Sequence, residues 1–178
     1  LNDEVVHGIP TSQRVIRDGD IVSVDFGVEL AGWCGDAAET YVVGTVPEDV
    51  ARLVDVTRNA LAMAVETVKP GLGWSVVAAA MQEYVEAEGF SVVRELVGHG
   101  IGRDLHEEPQ VPNFGPAGQG PELVAGMVIA IEPMVNAGRA RVRTLDDDWT
   151  VVTADGKLSA HFEHTVAITE QGPVILTG

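Results

Sequence analysis

The sequence predicts an α+β fold in which helices pack on one face of a mainly antiparallel sheet. Three observations support this prediction: an alternating hairpin near the start, two amphipathic helices after it, and several strand-like segments in the second half. Runs of strands separated from runs of helices are typical of α+β domains. With 178 residues the chain fits one domain, residues 1–178, and can bury a substantial core.

The first element is a predicted hairpin. Residues 20–30 alternate between apolar and polar side chains, with Val22, Val24 and Phe26 on the apolar side and Asp25 on the other. This period of two predicts a half-buried strand. Residues 29–32 are predicted to turn, and residues 33–43 to form the returning strand.

Two helices are predicted next. Apolar residues recur at helical spacing over 47–68, and Lys69-Pro70-Gly71 is predicted to end that helix. Ser75 is expected to cap a second helix, which ends at Gly89. Both apolar stripes are interpreted as core.

The second half is predicted to consist of loops and strands. Residues 112–121 hold three prolines and three glycines and are predicted to form an irregular loop. Strands are expected at 127–135, 139–144, 149–153 and 158–169, with Asp155-Gly156 as a hairpin turn.

Charge and composition restrict the possible partners. The net charge is −16, from 27 acidic residues against 11 Lys and Arg, so nucleic acid and anionic membranes are excluded as expected partners. The single cysteine, Cys34, excludes an internal disulfide. Because no apolar run is long enough to span a bilayer and no signal segment leads the sequence, we expect a cytoplasmic location.

Four acidic residues are candidates for one site. The hairpin can bring Asp25 and Asp36 side by side, where two carboxylates need a proton or a metal ion between them. Glu132 and Glu163 each lie in an otherwise apolar, strand-like run, and buried glutamates need a partner. Structural salt bridges, or a solvent-facing position for the two aspartates, remain alternatives. However, no cationic side chain is close in sequence to Asp25, Asp36 or Glu163.

Three histidines are further candidates. His99 lies between glycines that allow a close backbone approach, and His106 and His7 lie in other turn-rich segments. His161 and His164 are interpreted as ordinary surface or hydrogen-bonded residues, on opposite faces of one strand. An oxygen-rich set with one imidazole suits two divalent first-row ions better than a structural zinc, and such a pair favours amide hydrolysis.

Five motifs, taken in order, resemble those of type I methionine aminopeptidases. They are residues 2–10 (NDEVVHGIP), 98–102 (GHGIG), 106–109 (HEEP), 131–136 (IEPMVN) and 162–165 (FEHT). The resemblance implies a pita-bread fold, with a curved sheet and helices on its outer face. It also implies two divalent metal ions, for which Co, Mn, Fe and Zn all remain candidates.

The resemblance also implies individual roles. Asp36 and Glu163 would bridge the ions, Asp25 would hold one, and His99 and Glu132 would complete the other. Glu132 would also shuttle a proton, His7 would contact the scissile nitrogen, and His106 would stabilise the carbonyl oxygen. Trp149 and Leu105 would line the methionine pocket, although many relatives carry an aromatic residue at the position of Leu105. Cys34, where relatives often have histidine, is interpreted as a packing residue.

The implied activity is removal of the initiator methionine from nascent polypeptides whose second residue is small. The expected partner is the nascent N-terminus, with the ribosome as a further candidate, and the full-length protein is expected to be a monomer. Relatives carry an N-terminal segment before the His7 motif. We therefore expect this catalytic domain to be N-terminally incomplete, with one side of its sheet uncovered.

Three alternatives remain open at this stage. The chain could be another pita-bread hydrolase, such as a prolidase or aminopeptidase P, although the residues around Glu132 and His7 favour methionine aminopeptidase. It could also be a non-catalytic binding protein or an inactive fragment that retains its ligands by descent.

Overall fold

A computed structural model of the chain describes residues 1–118 and 120–178, so only Gln119, in the predicted loop, lies outside it. The two helices are α1 (Glu48–Thr67) and α2 (Trp74–Ala87). The strands are β1 (Glu4–Val6), β2 (Ile21–Leu30), β3 (Trp33–Val42), β4 (Ser91–Val92), β5 (Gly98–Gly100), β6 (Glu107–Val111), β7 (Val128–Ile131), β8 (Met134–Asn136), β9 (Val142–Thr144), β10 (Val151–Thr153), β11 (Ser159–His161), β12 (Glu163–Thr169) and β13 (Gly172–Ile175).

In the described part of the chain, the strands form one large antiparallel sheet and two small ones. The large sheet has seven strands in the order β2-β3-β12-β7-β5-β6, with β13 paired to β12. The small sheets are β1-β10-β9 and β11-β8-β4. With two helices against curled antiparallel sheets, the predicted α+β pita-bread class is confirmed.

The β2–β3 hairpin is the longest paired unit, with ten registered residue pairs from Ile21↔Val42 to Leu30↔Trp33. Its two-residue turn places Ala31 at φ 52° and Gly32 at φ 77°. Positive φ at both turn positions suits the right-handed twist of paired strands. The predicted hairpin is therefore confirmed, with β2 running to Leu30.

The apolar face of this hairpin is not buried. Val24, Phe26, Val28 and Leu30 are all exposed, and Leu30 is 80% exposed. The prediction of a half-buried strand with a buried apolar face was therefore wrong for most of β2. The expectation that one side of the sheet is uncovered is confirmed.

The helices lie close to their predicted positions. Glu48 and Asp49 place negative charge in the first turn of α1, where it favours the helix dipole. The predicted Ser75 cap was wrong, because the residue that caps α2 is Gly73 and Ser75 lies inside the first turn. Ser75 instead accepts a hydrogen bond from the backbone N–H of Gly118, which ties the 112–121 segment to the helix.

The core lies between the helices and the second half of the large sheet. Leu53 and Leu61 of α1 and Met81 of α2 pack with Ile129 of β7 and Ile168 of β12. Both stripes are thus core, as predicted. No helix in the described part of the chain is long and apolar enough to cross a membrane.

The strand pattern of the second half is confirmed in outline, but the predicted strands 127–135 and 158–169 each divide into two strands in different sheets, and one turn was misassigned. Asp155-Gly156 does turn the chain, and Thr153 Oγ1 donates to the Lys157 carbonyl across it. However, β10 pairs with β1 and β9, whereas β11 pairs with β8. The turn therefore connects two sheets and is not a hairpin turn.

Candidate metal centre

Strand register brings three of the predicted carboxylates to one place. Ala38 of β3 lies opposite Asp25 on β2 and opposite Glu163 on β12. Asp36 lies two residues along β3, so its side chain points to the same face as that row. The small side chain of Ala38 leaves the space between the three carboxylates open.

His99 reaches the same place from β5. Its flanking glycines are sterically required, because a Cβ on Gly98 would overlap the Ala130 carbonyl oxygen and one on Gly100 would overlap that of Glu108. Nδ1 of His99 donates to the Gly100 carbonyl at 2.9 Å. In the neutral ring, the lone pair is therefore on Nε2, the nitrogen that faces the carboxylates.

Glu132 follows directly after β7 and completes the group. Its Oε1 lies 3.5 Å from His99 Nε2, and Asp36 Oδ2 lies 4.0 Å from the same nitrogen. The Nε2 lone pair and the two carboxylates repel one another, so a proton or a metal ion must lie between the nitrogen and the carboxylate oxygens.

Structural salt bridges do not account for this group. Among the described residues, no Lys or Arg lies within 4.0 Å of the carboxylates of Asp25, Asp36, Glu132 or Glu163. Oε1 of Glu163 is buried and has no hydrogen-bond partner in the described part of the chain. Within the residues that the structure describes, the Asp36 carboxylate accepts only the Ala37 N–H, at 3.1 Å. The two buried carboxylates of the group, Asp36 and Glu163, therefore have fewer partners than buried carboxylates normally have.

The protonation of the acids reflects this crowding. Burial, followed by the charges of Glu132, Asp36 and Asp25, raises the pKa of the Glu163 carboxyl from 4.5 to about 10. Burial, followed by the charge of Asp25, also raises the pKa of Asp36, while His99 opposes the shift. Without a cation, the cluster would therefore hold protons at neutral pH.

The residues fit divalent metal ions. Donor atoms of Asp36, His99 and Glu163 lie within 4.8 Å of one another, and all three residues are buried. Carboxylate oxygens with a single imidazole suit divalent first-row metal ions. Asp25 and Glu132 flank this triad, and both add to the pKa shifts within it.

A cavity of about 790 Å³ opens onto the triad. The residues predicted for substrate contact all line it, as does His161. These cavity residues are His7, Leu105, His106, Trp149 and His161.

The two predicted substrate histidines occupy different parts of the cavity. The ring of His106 lies 4.3 Å from that of His99, centroid to centroid, so it lies beside the metal ligands. The ring of His7 stacks on Trp149 at 5.0 Å, at the more exposed end. Leu105 lies over β2, because a Cβ on Gly27 would come within 2.9 Å of its Cδ1.

The interpretation of His161 was wrong, because its side chain is neither at the surface nor hydrogen-bonded within the described residues. It also lies on β11, whereas His164 lies on β12. His164 does have an ordinary structural partner, since Nδ1 lies 3.1 Å from Thr177 Oγ1. The signal for His161 was its spacing of two from Glu163, which places both side chains on one face of an extended run.

Cys34 lies outside the cluster. Its Sγ lies 3.7 Å from the Arg103 carbonyl oxygen, and its backbone N–H donates to Gly102. These contacts agree with its interpretation as a packing residue.

Comparison with known proteins identifies the family. The sequence pattern of metallopeptidase family M24 matches residues 1–170. Methionine aminopeptidase 1 of Bacillus subtilis is 58% identical over 177 residues, which cover 99% of this chain and 71% of that protein. The crystal structure of methionine aminopeptidase from Thermotoga maritima has a TM-score of 0.97 and 53% identity, and the match covers 99% of this chain and 71% of that one.

A prolidase is a more distant relative. The prolidase from Pyrococcus furiosus has a TM-score of 0.75 and 27% identity, and the match covers 94% of this chain and 44% of that one. The chain thus shares its fold with prolidases but shares far more of its sequence with methionine aminopeptidases. It belongs to metallopeptidase family M24 and, within that family, to the methionine aminopeptidases.

Proposed function

We propose that this chain is a metal-dependent aminopeptidase that removes methionine from the N-terminus of nascent proteins when the second residue is small. The observation that carries the proposal is the buried group of Asp36, His99 and Glu163 at the base of a cavity. The identity to methionine aminopeptidases, up to 58%, supports methionine as the residue that is removed. We treat residues 1–178 as one catalytic domain.

The ligand assignment follows the arrangement of the strands. Asp36 and Glu163 lie on the two central strands of the row and would bridge two ions, with Asp25 holding one and His99 with Glu132 completing the other. When bound, two divalent ions supply Lewis acidity, which polarises a peptide carbonyl and lowers the pKa of water. The chemistry of this donor set does not select among Co, Mn, Fe and Zn.

Glu132 is assigned as the proton carrier. Its two oxygens face different histidines, with Oε1 3.5 Å from His99 Nε2 and Oε2 3.6 Å from His161 Nε2. A carboxylate held at the rim of the cluster can accept a proton at one oxygen and pass it to the departing amine.

The remaining assignments concern the substrate. His106 is assigned to donate a hydrogen bond to the carbonyl oxygen as negative charge develops there, and the position of its ring beside that of His99 supports this assignment. His7 is assigned to the scissile nitrogen. Trp149 and Leu105 offer apolar surface at the cavity wall for a methionine side chain. The N-termini of nascent polypeptides are the proposed partner, and the cytoplasm is the proposed location.

Peptide hydrolysis tests the proposal directly. The EDTA-treated chain is reconstituted with Co²⁺, Mn²⁺, Fe²⁺ or Zn²⁺ and incubated with Met-Ala-Ser, with Met-Leu-Ser as the bulky control and Ala-Pro as a prolidase substrate. We expect metal-dependent release of methionine from Met-Ala-Ser, with little release from Met-Leu-Ser. A folded, metal-loaded sample that leaves millimolar Met-Ala-Ser intact would contradict the proposal, and cleavage of Ala-Pro alone would favour a prolidase.

A further inference from the structure

The imidazole of His161 lies between two carboxylates and has no hydrogen bond of its own. The residue is 1% exposed, and neither ring nitrogen has a hydrogen-bond partner among the described residues. Nδ1 lies 3.9 Å from Asp25 Oδ2, and Nε2 lies 3.6 Å from Glu132 Oε2. Buried polar side chains nearly always have partners, so two unpaired nitrogens on one ring require a physical explanation.

The backbone of His161 is held firmly in place. Its N–H donates to Thr40 Oγ1 at 2.8 Å, and its carbonyl accepts from the same hydroxyl at 2.8 Å. Because the hydroxyl proton of Thr40 is used in this way, Ser23 must be the donor in the 2.8 Å contact between Ser23 and Thr40. The position of the ring is thus set by β2 and β3, the hairpin that carries Asp25 and Asp36.

His161 does not lie in the group that could share an ion. That group, among the described residues, is Asp36, His99 and Glu163. His161 approaches it only through Asp25 and Glu132, one on each side. Asp25 and Glu132 also lie outside that group, so the argument for a contact with carboxylates is that these two, at 3.9 and 3.6 Å, are what the His161 nitrogens face.

We propose that His161 is a positioning residue that donates a hydrogen bond from Nε2 to Glu132 Oε2, so that the other oxygen of Glu132 faces the ions. The inference rests on the proposed function, which assigns Glu132 as a ligand. A movement of about 0.7 Å brings Nε2 within normal hydrogen-bond distance of Glu132. Ligating carboxylates generally accept such bonds, and loss of the donor weakens metal affinity by about 10- to 100-fold.

Two substitutions separate positioning from ligation. His161→Leu keeps the apolar bulk and removes the donor, whereas His161→Gln keeps an N–H donor but removes the imidazole. His164→Gln is the matched control, since that ring contacts Thr177 and lies outside the cavity lining. Binding of Mn²⁺ and Co²⁺ is measured by calorimetry, together with the visible absorption of bound Co²⁺ and the kcat and KM for Met-Ala-Ser.

We expect His161→Leu to lower the affinity for Mn²⁺ by about 10- to 100-fold without changing the number of ions bound. His161→Gln should recover most of that affinity and the Co²⁺ spectrum, and His164→Gln should resemble the wild type. Wild-type affinity in a folded His161→Leu variant would overturn the inference. Loss of one ion from both His161 variants would also overturn it, because His161 would then be a ligand.

A measurement on the unmodified protein removes any dependence on how the variants fold. In the Zn²⁺-loaded wild type, nitrogen NMR of the His161 ring should show a solvent-protected Nε2–H group and no metal-bound nitrogen. A metal-bound ring nitrogen, or rapidly exchanging N–H protons, would overturn the inference. If the wild type binds no ions at all, the proposed function fails, whereas bound ions with a freely exchanging His161 ring reject only the positioning role.

Discussion

The β2–β3 hairpin and the strands beneath helices α1 and α2 carry similar apolar side chains but bury them very differently. Leu30 on β2 is 80% exposed, whereas Ile129 on β7 and Leu53 on α1 are 0% exposed. The helices cover the second region, and no described element covers the outer apolar face of the first. Most of the hydrophobic stabilisation therefore comes from the covered region.

The candidate site draws on both regions. Asp25 and Asp36 come from the hairpin, while Glu132 and Glu163 come from the covered strands. Four acids that gather without a Lys or Arg partner repel one another, so in the metal-free protein they must hold protons, as the raised pKa values of Asp36 and Glu163 indicate. Packing therefore holds the covered half of the site in place, and an ion bound to carboxylates of both halves would tie the exposed hairpin more firmly to it.

The largest expected effect is on catalysis. Asp36→Ala removes a central carboxylate from the hairpin side, and we expect kcat/KM for Met-Ala-Ser to fall by at least about 1000-fold, because both ions lose a shared ligand. Asp146→Ala, an exposed residue outside the cluster, is the control and should keep wild-type kinetics. Retention of two tightly bound ions in Asp36→Ala would reject its bridging assignment.

The second prediction concerns stability and compares a Leu→Ala substitution in the covered region with one in the hairpin. Leu53→Ala should lower the free energy of unfolding by about 2–5 kcal/mol, because it leaves a cavity in the core. Leu30→Ala should change it by only about 0.5 kcal/mol, because its side chain is already in solvent. Urea denaturation of both variants measures the difference. Equal losses would show that the outer face of the hairpin is buried in solution.

The third prediction is a pH dependence at Glu163. In the metal-free protein the folded state keeps the Glu163 proton up to about pH 10, while the unfolded chain loses it near pH 4.5. The wild type should therefore lose stability relative to Glu163→Gln as pH rises from 4.5 towards 10, because glutamine carries no proton to retain.

Denaturant unfolding in EDTA at pH 5 and pH 9 checks this prediction, with the exposed Glu170→Gln as control. The advantage of Glu163→Gln should be larger at pH 9. Added Mn²⁺ should stabilise the wild type much more than Glu163→Gln, since ions that bind only the folded state favour it. A pH-independent difference between the two proteins would show that Glu163 is not a buried, proton-holding carboxyl.

Much of the fold could be predicted from local patterns. Periodicity and turn residues predict the two strands of the hairpin and the two helices. They also predict that α2 ends just before Gly89, which has a positive φ. The alternation in β2 shows that its two faces differ in polarity. It does not show whether another element of the chain packs against the apolar face, so the exposure of that face could not be predicted. The Asp155-Gly156 turn was misassigned for a related reason, since turn chemistry is local and strand pairing is not.

The residues of the site likewise divide into those that local sequence patterns reveal and those that they do not. Glu132 and Glu163 could be identified because an acid in an apolar run conflicts with its surroundings. His161 was missed because a histidine in such a run is compatible with many ordinary environments, and only its spacing of two from Glu163 pointed to the site. Only the register of β2, β3 and β12 around Ala38 shows how residues so far apart in sequence meet.

The most direct test of the central claim is a metal titration of the EDTA-treated chain, with hydrogen exchange followed in the hairpin and in the helices. We expect two Mn²⁺ or Co²⁺ ions per chain, release of protons on binding, and slower exchange in β2 and β3 than in the metal-free protein, with little change in α1 and α2. Absence of saturable binding, or binding that leaves the hairpin amides unchanged, would contradict the account.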